Sequence, residues 1–161
     1  MSPAFVDAVL TGRGHETGLE IPAGWPDAHD RRFLTVRLRE LRERPEIEQW
    51  LVYALVLPER TMIGHAGFHG PPGANALKAG DALEVGYTIF APHRGHGYAT
   101  EAVRALIEWA RVTHGIGRFL ASISPGNEPS LAIARRLGFS EIGRHWDDED
   151  GEELEFELRV G

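Results

Sequence analysis

The segment Ala91-Pro92-His93-Arg94-Gly95-His96-Gly97-Tyr98-Ala99-Thr100 constrains the fold of this chain more than any other. Leu83 to Phe90 runs into it as an apolar strand, and a strongly amphipathic helix leaves it. A strand, a glycine-punctuated basic turn and a helix in that order build an anion site. Glycine lets the backbone approach a ligand, and the first N–H groups of a helix have no partner inside it. The helix dipole adds partial positive charge at the same place, and Arg94 adds a full one. A phosphorylated ligand is expected there.

The helix behind the turn places Ala99, Ala102, Val103, Leu106, Ile107 and Ala110 on one face. Arg104, Glu108 and Arg111 lie on the other, and the helix stops near His114-Gly115. Upstream, Ser2-Pro3 opens a short helix through Leu10, and Thr11 to Asp27 reads as loop, broken by glycines and prolines. Asp30 caps a second helix that carries Leu34, Leu38 and Leu41 on one face and ends before Pro45. Trp50 to Leu57 is continuously apolar and reads as a buried strand. Thr61 to His69 is a second strand, interrupted by Gly64 and Gly67, and Gly70 to Asp81 is a Pro/Gly loop.

Downstream, Arg118 to Ser124 is a strand, and a short helix starts within Pro125 to Ser130 and ends at Gly138. The strands Ser140 to Trp146 and Leu154 to Val160 flank an acidic turn, Asp147 to Glu153. The pattern is a mixed α/β arrangement around one central sheet. A chain of 161 residues holds one domain, with a helical part over residues 1–45 and the sheet over 50–160.

A net charge of −7 argues against nonspecific nucleic-acid binding, and no apolar run is long enough to cross a membrane. Met1-Ser2-Pro3 lacks the pattern of a secretory leader. The chain has no cysteine, which removes disulfides, thiolate metal sites and a cysteine nucleophile. There is no HExxH and no tight His/carboxylate cluster, so no metal is expected. These features fit a cytoplasmic protein.

Arg94-x-x-Gly97-x-Ala99 resembles the Q/R-x-x-G-x-G/A signature of the GNAT superfamily of N-acetyltransferases. Asn127-x-x-Ser130 followed by Arg136-x-Gly138-Phe139 resembles a second segment of that family, in the right order and at the expected junction. The likeness covers Trp50 to Val160, and Glu84-Val85-Gly86-Tyr87 is most similar to the RimJ/RimL-type branch. It implies a GNAT fold, with a mixed, mostly antiparallel twisted sheet and acetyl-CoA in the cleft between two splayed central strands. It implies acetyl transfer from acetyl-CoA to a primary amine, a protein N-terminus or a small molecule, with residues 1–45 on the acceptor side.

By the same resemblance, backbone N–H groups of Arg94, Gly95, His96, Gly97, Tyr98, Ala99 and Thr100 cradle the pyrophosphate. The strand edge bearing Tyr87, Thr88 and Ile89 pairs with pantetheine. Asn127 and Ser130 sit beside pantetheine and the thioester sulfur, and Arg135 or Arg136 reaches a CoA phosphate. Two features depart from the family. The chain opens with a helix where members begin with a strand, and an open sheet edge would invite a partner chain, as in a homodimer. Ala134 stands where many members carry a tyrosine that protonates the departing thiolate. Ala134 is also the one feature that favours the alternative, a catalytically inactive acyl-CoA sensor or scaffold. A third reading, a nucleotide-phosphate binder built on the turn alone, lacks the glycine patterns it would need.

Without cysteine, an amine must attack the thioester directly in a ternary complex, and a base must take its proton. Glu84 is the first candidate base; the alternative is a solvated glutamate at a strand end. Ser130 is the candidate for assisting the thiolate, and helix capping is its other role. His65 and His69 share a strand face: His69 is the better candidate for an acceptor-pocket base, and His65 reads as half-exposed. His96 reads as a solvent or phosphate contact. Trp25 and Trp146 are candidate acceptor walls, with core packing as the alternative. Asp147, Asp148, Glu149 and Asp150 would attract a cationic acceptor or form a solvated turn.

Overall fold

The chain runs α1 (Pro3–Leu10), α2 (Ala28–Glu43), β1 (Val52–Val56), β2 (Met62–Phe68), β3 (Ala82–Ile89), α3 (Tyr98–His114), β4 (Arg118–Ile123), α4 (Glu128–Leu137), β5 (Ser140–Asp147) and β6 (Gly151–Arg159). These elements come from a computed structural model that describes residues 1–148 and 151–161. The Ser2 hydroxyl caps α1 by accepting from the Phe5 N–H at 3.3 Å. The cap of α2 is Asp27 rather than Asp30: its carboxylate accepts from the Asp30 N–H at 2.9 Å, which leaves the Asp30 side chain free to face the sheet. Left-handed glycines, Gly115 and Gly138, close α3 and α4 as the sequence indicates.

The strands form one six-stranded sheet in the order β1-β2-β3-β4-β6-β5. Every neighbouring pair is antiparallel except β3 and β4. Every residue of β2 is buried, and Gly67 is needed there because a Cβ would lie 2.2 Å from the Leu51 carbonyl oxygen of the crossing chain. The apolar run at Trp50 to Leu57 is not a buried strand throughout. Trp50 ends a 3-10 turn over Pro45–Trp50 and packs on Trp109 at 5.5 Å, while β1 is an edge strand with Tyr53 and Val56 exposed. The stretch Thr11 to Asp27 is not wholly loop either. It contains a 3-10 turn at Gly14–Thr17, and Glu20 forms an isolated parallel bridge with Thr61.

Each face of the sheet carries its own core. Phe68, Leu83, Val103, Ile107, Phe119 and Phe156 pack with α3 and α4, while Val6, Val9, Leu34 and Leu38 join α1 to α2. Burial of a side chain such as Phe68 or Phe119 contributes about 1.5–3 kcal/mol. The strand β6 begins at Gly151, so the acidic turn is shorter than expected, and Glu149 and Asp150 lie outside the described residues. Trp146 is 74% exposed and belongs to neither a core nor a pocket wall, because it points outward from the edge strand β5.

One feature of the sheet positions the site. The β3–β4 ladder holds only Ala82↔Arg118, Leu83↔Phe119 and Glu84↔Leu120. Beyond Glu84 the two strands part, while β3 stays with β2 as far as Ile89 and β4 stays with β6 as far as Ile123.

Candidate active site

After β3 a 3-10 turn over Ala91–His93 leads through Gly95 (φ +80°) and Gly97 (φ +85°) into α3. Both glycines occupy the left-handed region that other residues avoid. No side chain caps α3, and its first intrahelical bond is Glu101 N–H to the Gly97 carbonyl at 3.0 Å. The N–H groups of Tyr98, Ala99 and Thr100 are therefore the free donors of the first turn. Arg94 folds back and donates from Nε to the Ile89 carbonyl at 2.9 Å, which ties the turn to β3.

These residues line a cavity of about 590 Å³. His93 is in its wall. His96 is not, because its ring turns away to stack on Tyr98 with centroids 5.7 Å apart. Arg136 lines the cavity and Arg135 does not: Pro129, Ser130, Ile133 and Arg136 share one face of α4, and a step of about 100° per residue carries Arg135 off it. Donors at a helix start, glycines without side chains and two arginines suit a pyrophosphate and its neighbouring phosphate.

The cavity reaches the gap between β3 and β4. The His69 N–H donates to the Glu84 carbonyl, and the Phe90 N–H donates to the Ile63 carbonyl. Antiparallel alternation then turns the backbone groups of Tyr87 and Ile89 away from β2, toward the gap. A second cavity of about 550 Å³ opens on the other side and shares Tyr87, Thr88, Asn127 and Ser130 with the first. The Asn127 side chain caps α4 by accepting from the Ser130 N–H at 3.3 Å, so the Ser130 hydroxyl is not the cap. Burial pushes the Tyr87 phenol above its ordinary pKa, with Ser130 opposing the shift. Ala134 is buried in the core under α4.

On the α2 side of the gap, Glu84 is 3% exposed, which removes the solvated strand-end reading. One carboxylate oxygen accepts from the Ala76 N–H and the other from the Ser122 hydroxyl, both at 2.7 Å. His69 Nδ1 lies 3.5 Å from the second oxygen, and the ring is half open to the cavity. Burial lowers the pKa of His69 despite the opposing pull of Glu84, and Arg37 lowers it further. Its imidazole is therefore neutral near pH 7.

His65 is not half-exposed. It is buried, its ring stacks on Phe33 at 5.9 Å and lies 6.2 Å from Trp25, and its Nε2 is 3.7 Å from Asp30 Oδ1. The neighbouring His65 imidazole is the main influence that lowers the Asp30 pKa. Trp25 therefore packs behind the cavity wall. A third cavity, about 510 Å³, joins the second through His69, Ser122 and Glu153, and is also lined by Glu84, His145 and Asp147.

The sequence reading missed Ser122, Arg37 and Asp30. Ser122 carries one faint signal, a lone polar residue between Ala121 and Ile123 in an apolar strand; Arg37 and Asp30 carry none apart from their place on the face of α2 that bears Phe33. Among the described residues, no group of three or more His, Cys, Asp or Glu side chains is arranged to hold a metal ion, and no helix is long and apolar enough to cross a membrane.

Comparison with known proteins adds the following. Residues 13–140 match the family model described as acetyltransferase (GNAT) domain. A protein of Bordetella pertussis described as of the GnaT acetyltransferase family aligns with 98% of this chain and 91% of its own, at 26% identity and a TM-score of 0.69. The microcin C7 self-immunity acetyltransferase MccE, solved with acetyl-CoA and AMP, aligns with 99% of this chain and 90% of its own, at 20% identity and a TM-score of 0.65, a likeness of fold. The uncharacterized N-acetyltransferase YjdG of Bacillus subtilis is 31% identical over 90 residues, which are 53% of this chain and 51% of YjdG. The chain spans about half or less of the length of the curated relatives it matches.

Proposed function

Because the chain belongs to the acetyltransferase (GNAT) domain family, we propose that it transfers an acetyl group from acetyl-CoA to a primary amine. The observation that carries this reading is the meeting of two cavities at the gap between β3 and β4, with His69 on one side and Tyr87 and Ser130 on the other. The turn from Arg94 to Thr100, with Arg136, holds the phosphates of acetyl-CoA. The Tyr87 and Ile89 edge pairs with the pantetheine arm, and that co-substrate supplies the thioester whose carbonyl the amine attacks.

His69 takes the proton from the amine. It is neutral near pH 7, half open to the cavity and steadied by Glu84. Glu84, with both oxygens already engaged, positions and polarises His69 rather than taking the proton itself. A backbone N–H of β3 turned into the gap is the candidate donor to the carbonyl oxygen as it gains charge. The acceptor enters from the α2 side, past Asp30 and Phe33. The carboxylates of the third cavity favour a cationic acceptor, either a polyamine-like small molecule or a protein N-terminus. The segment Glu84-Val85-Gly86-Tyr87 supports the RimJ/RimL-like branch, and the unpaired edge of β1 supports a homodimer.

The test is acetyl-CoA-dependent thiol release with a panel of peptides bearing free Ala, Ser or Thr N-termini, polyamines and aminoglycosides. Release with one class is expected and names the acceptor. Acetyl-CoA binding without release from any member would turn the reading toward a non-catalytic acyl-CoA binder.

A further inference from the structure

Resting on the acetyl-transfer reading above, we propose that the Tyr87 hydroxyl is the acid that protonates the departing thiolate. The position where the family resemblance led one to look for a tyrosine is Ala134, and its methyl group is buried in the core, 4% exposed, with no proton to give. Tyr87 lies on β3, in the walls of both cavities, at the place where the strands part. Its hydroxyl oxygen is buried and has no hydrogen-bond partner within 3.5 Å among the described residues. A buried phenol without a partner costs stability unless a further group meets it. The side of the sheet is also the right one. On β2, His65 packs against Phe33 of α2, whereas Phe68 packs into the core under α3 and α4. On β3, Tyr87 packs against the same α3–α4 core, so its side chain belongs to the phosphate side of the gap. The base His69 sits opposite, on the side facing α2. The amine thus loses its proton on one face, and sulfur gains one on the other.

The chemistry matches. A phenol ionises near pH 10 and a thiol near 8.5, close enough for transfer between them, whereas the aliphatic hydroxyl of Ser130 is a far weaker acid. Burial keeps the Tyr87 phenol protonated at neutral pH, and Ser130 is the polar group whose influence opposes that shift. In the step, the C–N bond forms and the C–S bond breaks. The C–S electron pair goes to sulfur, and the proton leaves Tyr87 Oη for that sulfur. The phenolate recovers its proton from solvent when product leaves, and His69 returns the amine proton to solvent.

Two measurements on the full chain test the assignment. The first needs no acceptor: the affinities of CoA and of desulfo-CoA are compared for the wild type and for Tyr87→Phe, which removes only the hydroxyl. The wild type is expected to prefer CoA several-fold, and the variant to bind both alike. The second is steady-state turnover. Tyr87→Phe is expected to lower kcat about a hundredfold with KM for acetyl-CoA little changed. Replacing Tyr87 with difluorotyrosine, a more acidic phenol, is expected to move the alkaline limb of the pH profile downward. Unchanged kcat and pH profile in Tyr87→Phe, or an equal preference for CoA in both proteins, would overturn the assignment. So would a loss confined to Ser130→Ala. Failure of either nucleotide to bind the wild type would instead overturn the acetyl-CoA reading itself.

Discussion

His69 stands so close over Gly86 that a Cβ on Gly86 would lie 3.0 Å from the His69 Nε2. Gly86 pairs with Gly67 on β2, two residues before His69, so the chain leaves β2 directly above it. The absence of a side chain at position 86 leaves room for the imidazole edge against the strand, where it lines the cavity.

Substituting Gly86→Ala therefore tests the placement of the base. The ring must shift by a few tenths of an ångström, and turnover is expected to fall about tenfold or more, as small misplacements of reacting groups do. Thermal unfolding should change little, because the ring can move. Full turnover in Gly86→Ala would remove His69 from the mechanism.

The pH dependence follows from the environment of His69. Burial lowers its pKa, so the acidic limb of kcat/KM is expected below the ordinary histidine value of about 6.5. Below that limb the imidazole is protonated and cannot act as base. Glu84 raises the His69 pKa, so Glu84→Gln should move the limb to still lower pH, with a plateau about tenfold lower. His69→Gln should cost about a hundredfold or more and abolish the limb. A limb that moves upward in Glu84→Gln would contradict the pairing.

Two neighbouring arginines on α4 make different predictions. Arg136 lines the cavity at the start of α3 and Arg135 does not. Acetyl-CoA affinity, measured by calorimetry, should weaken several-fold in Arg136→Ala, and the loss should shrink as salt is added. In Arg135→Ala it should stay within about twofold of the wild type, as expected for an exposed charge off the site. Equal losses would mean that both act only through the general field.

Asp30 links the wall of the cavity beside α2 to stability. Its pKa is lowered, chiefly by the neighbouring His65 imidazole, so its ionised form favours the folded state. That contribution is present above the ordinary carboxylate value and is lost as the pH falls through the depressed folded value. The melting temperature of Asp30→Asn should lie below that of the wild type at neutral pH, and the gap should close as the pH falls through and below the ordinary carboxylate value of about 3.9. A gap that stays constant over that range would show that Asp30 acts without titrating.

Much of this molecule is legible in its residues because the signals are local. The 3.6-residue period fixes α3, glycines at the helix ends fix where α3 and α4 stop, and Arg94-x-x-Gly97-x-Ala99 marks the glycine turn that opens α3. Local patterns mislead where burial depends on a neighbour. The apolar run of β1 looks like a central strand and proves to be an edge, and His65 looks half-exposed until α2 covers it. Arg135 and Arg136 are indistinguishable in composition and differ only by a rotation of the helix.

By itself, the sequence determined the order of elements, the strand-turn-helix junction at Arg94 to Thr100 and the absence of a cysteine route, because each depends on residues adjacent in the chain or on composition alone. Only the tertiary structure decided which groups meet at the gap. The parting of β3 from β4 after Glu84 brings Tyr87 and Ser130 to one side, and the β2–β3 register sets His69 beside Glu84 and over Gly86 on the other. Such encounters join residues far apart in the chain, and only the register of paired strands and the packing of helices across them determine these distances.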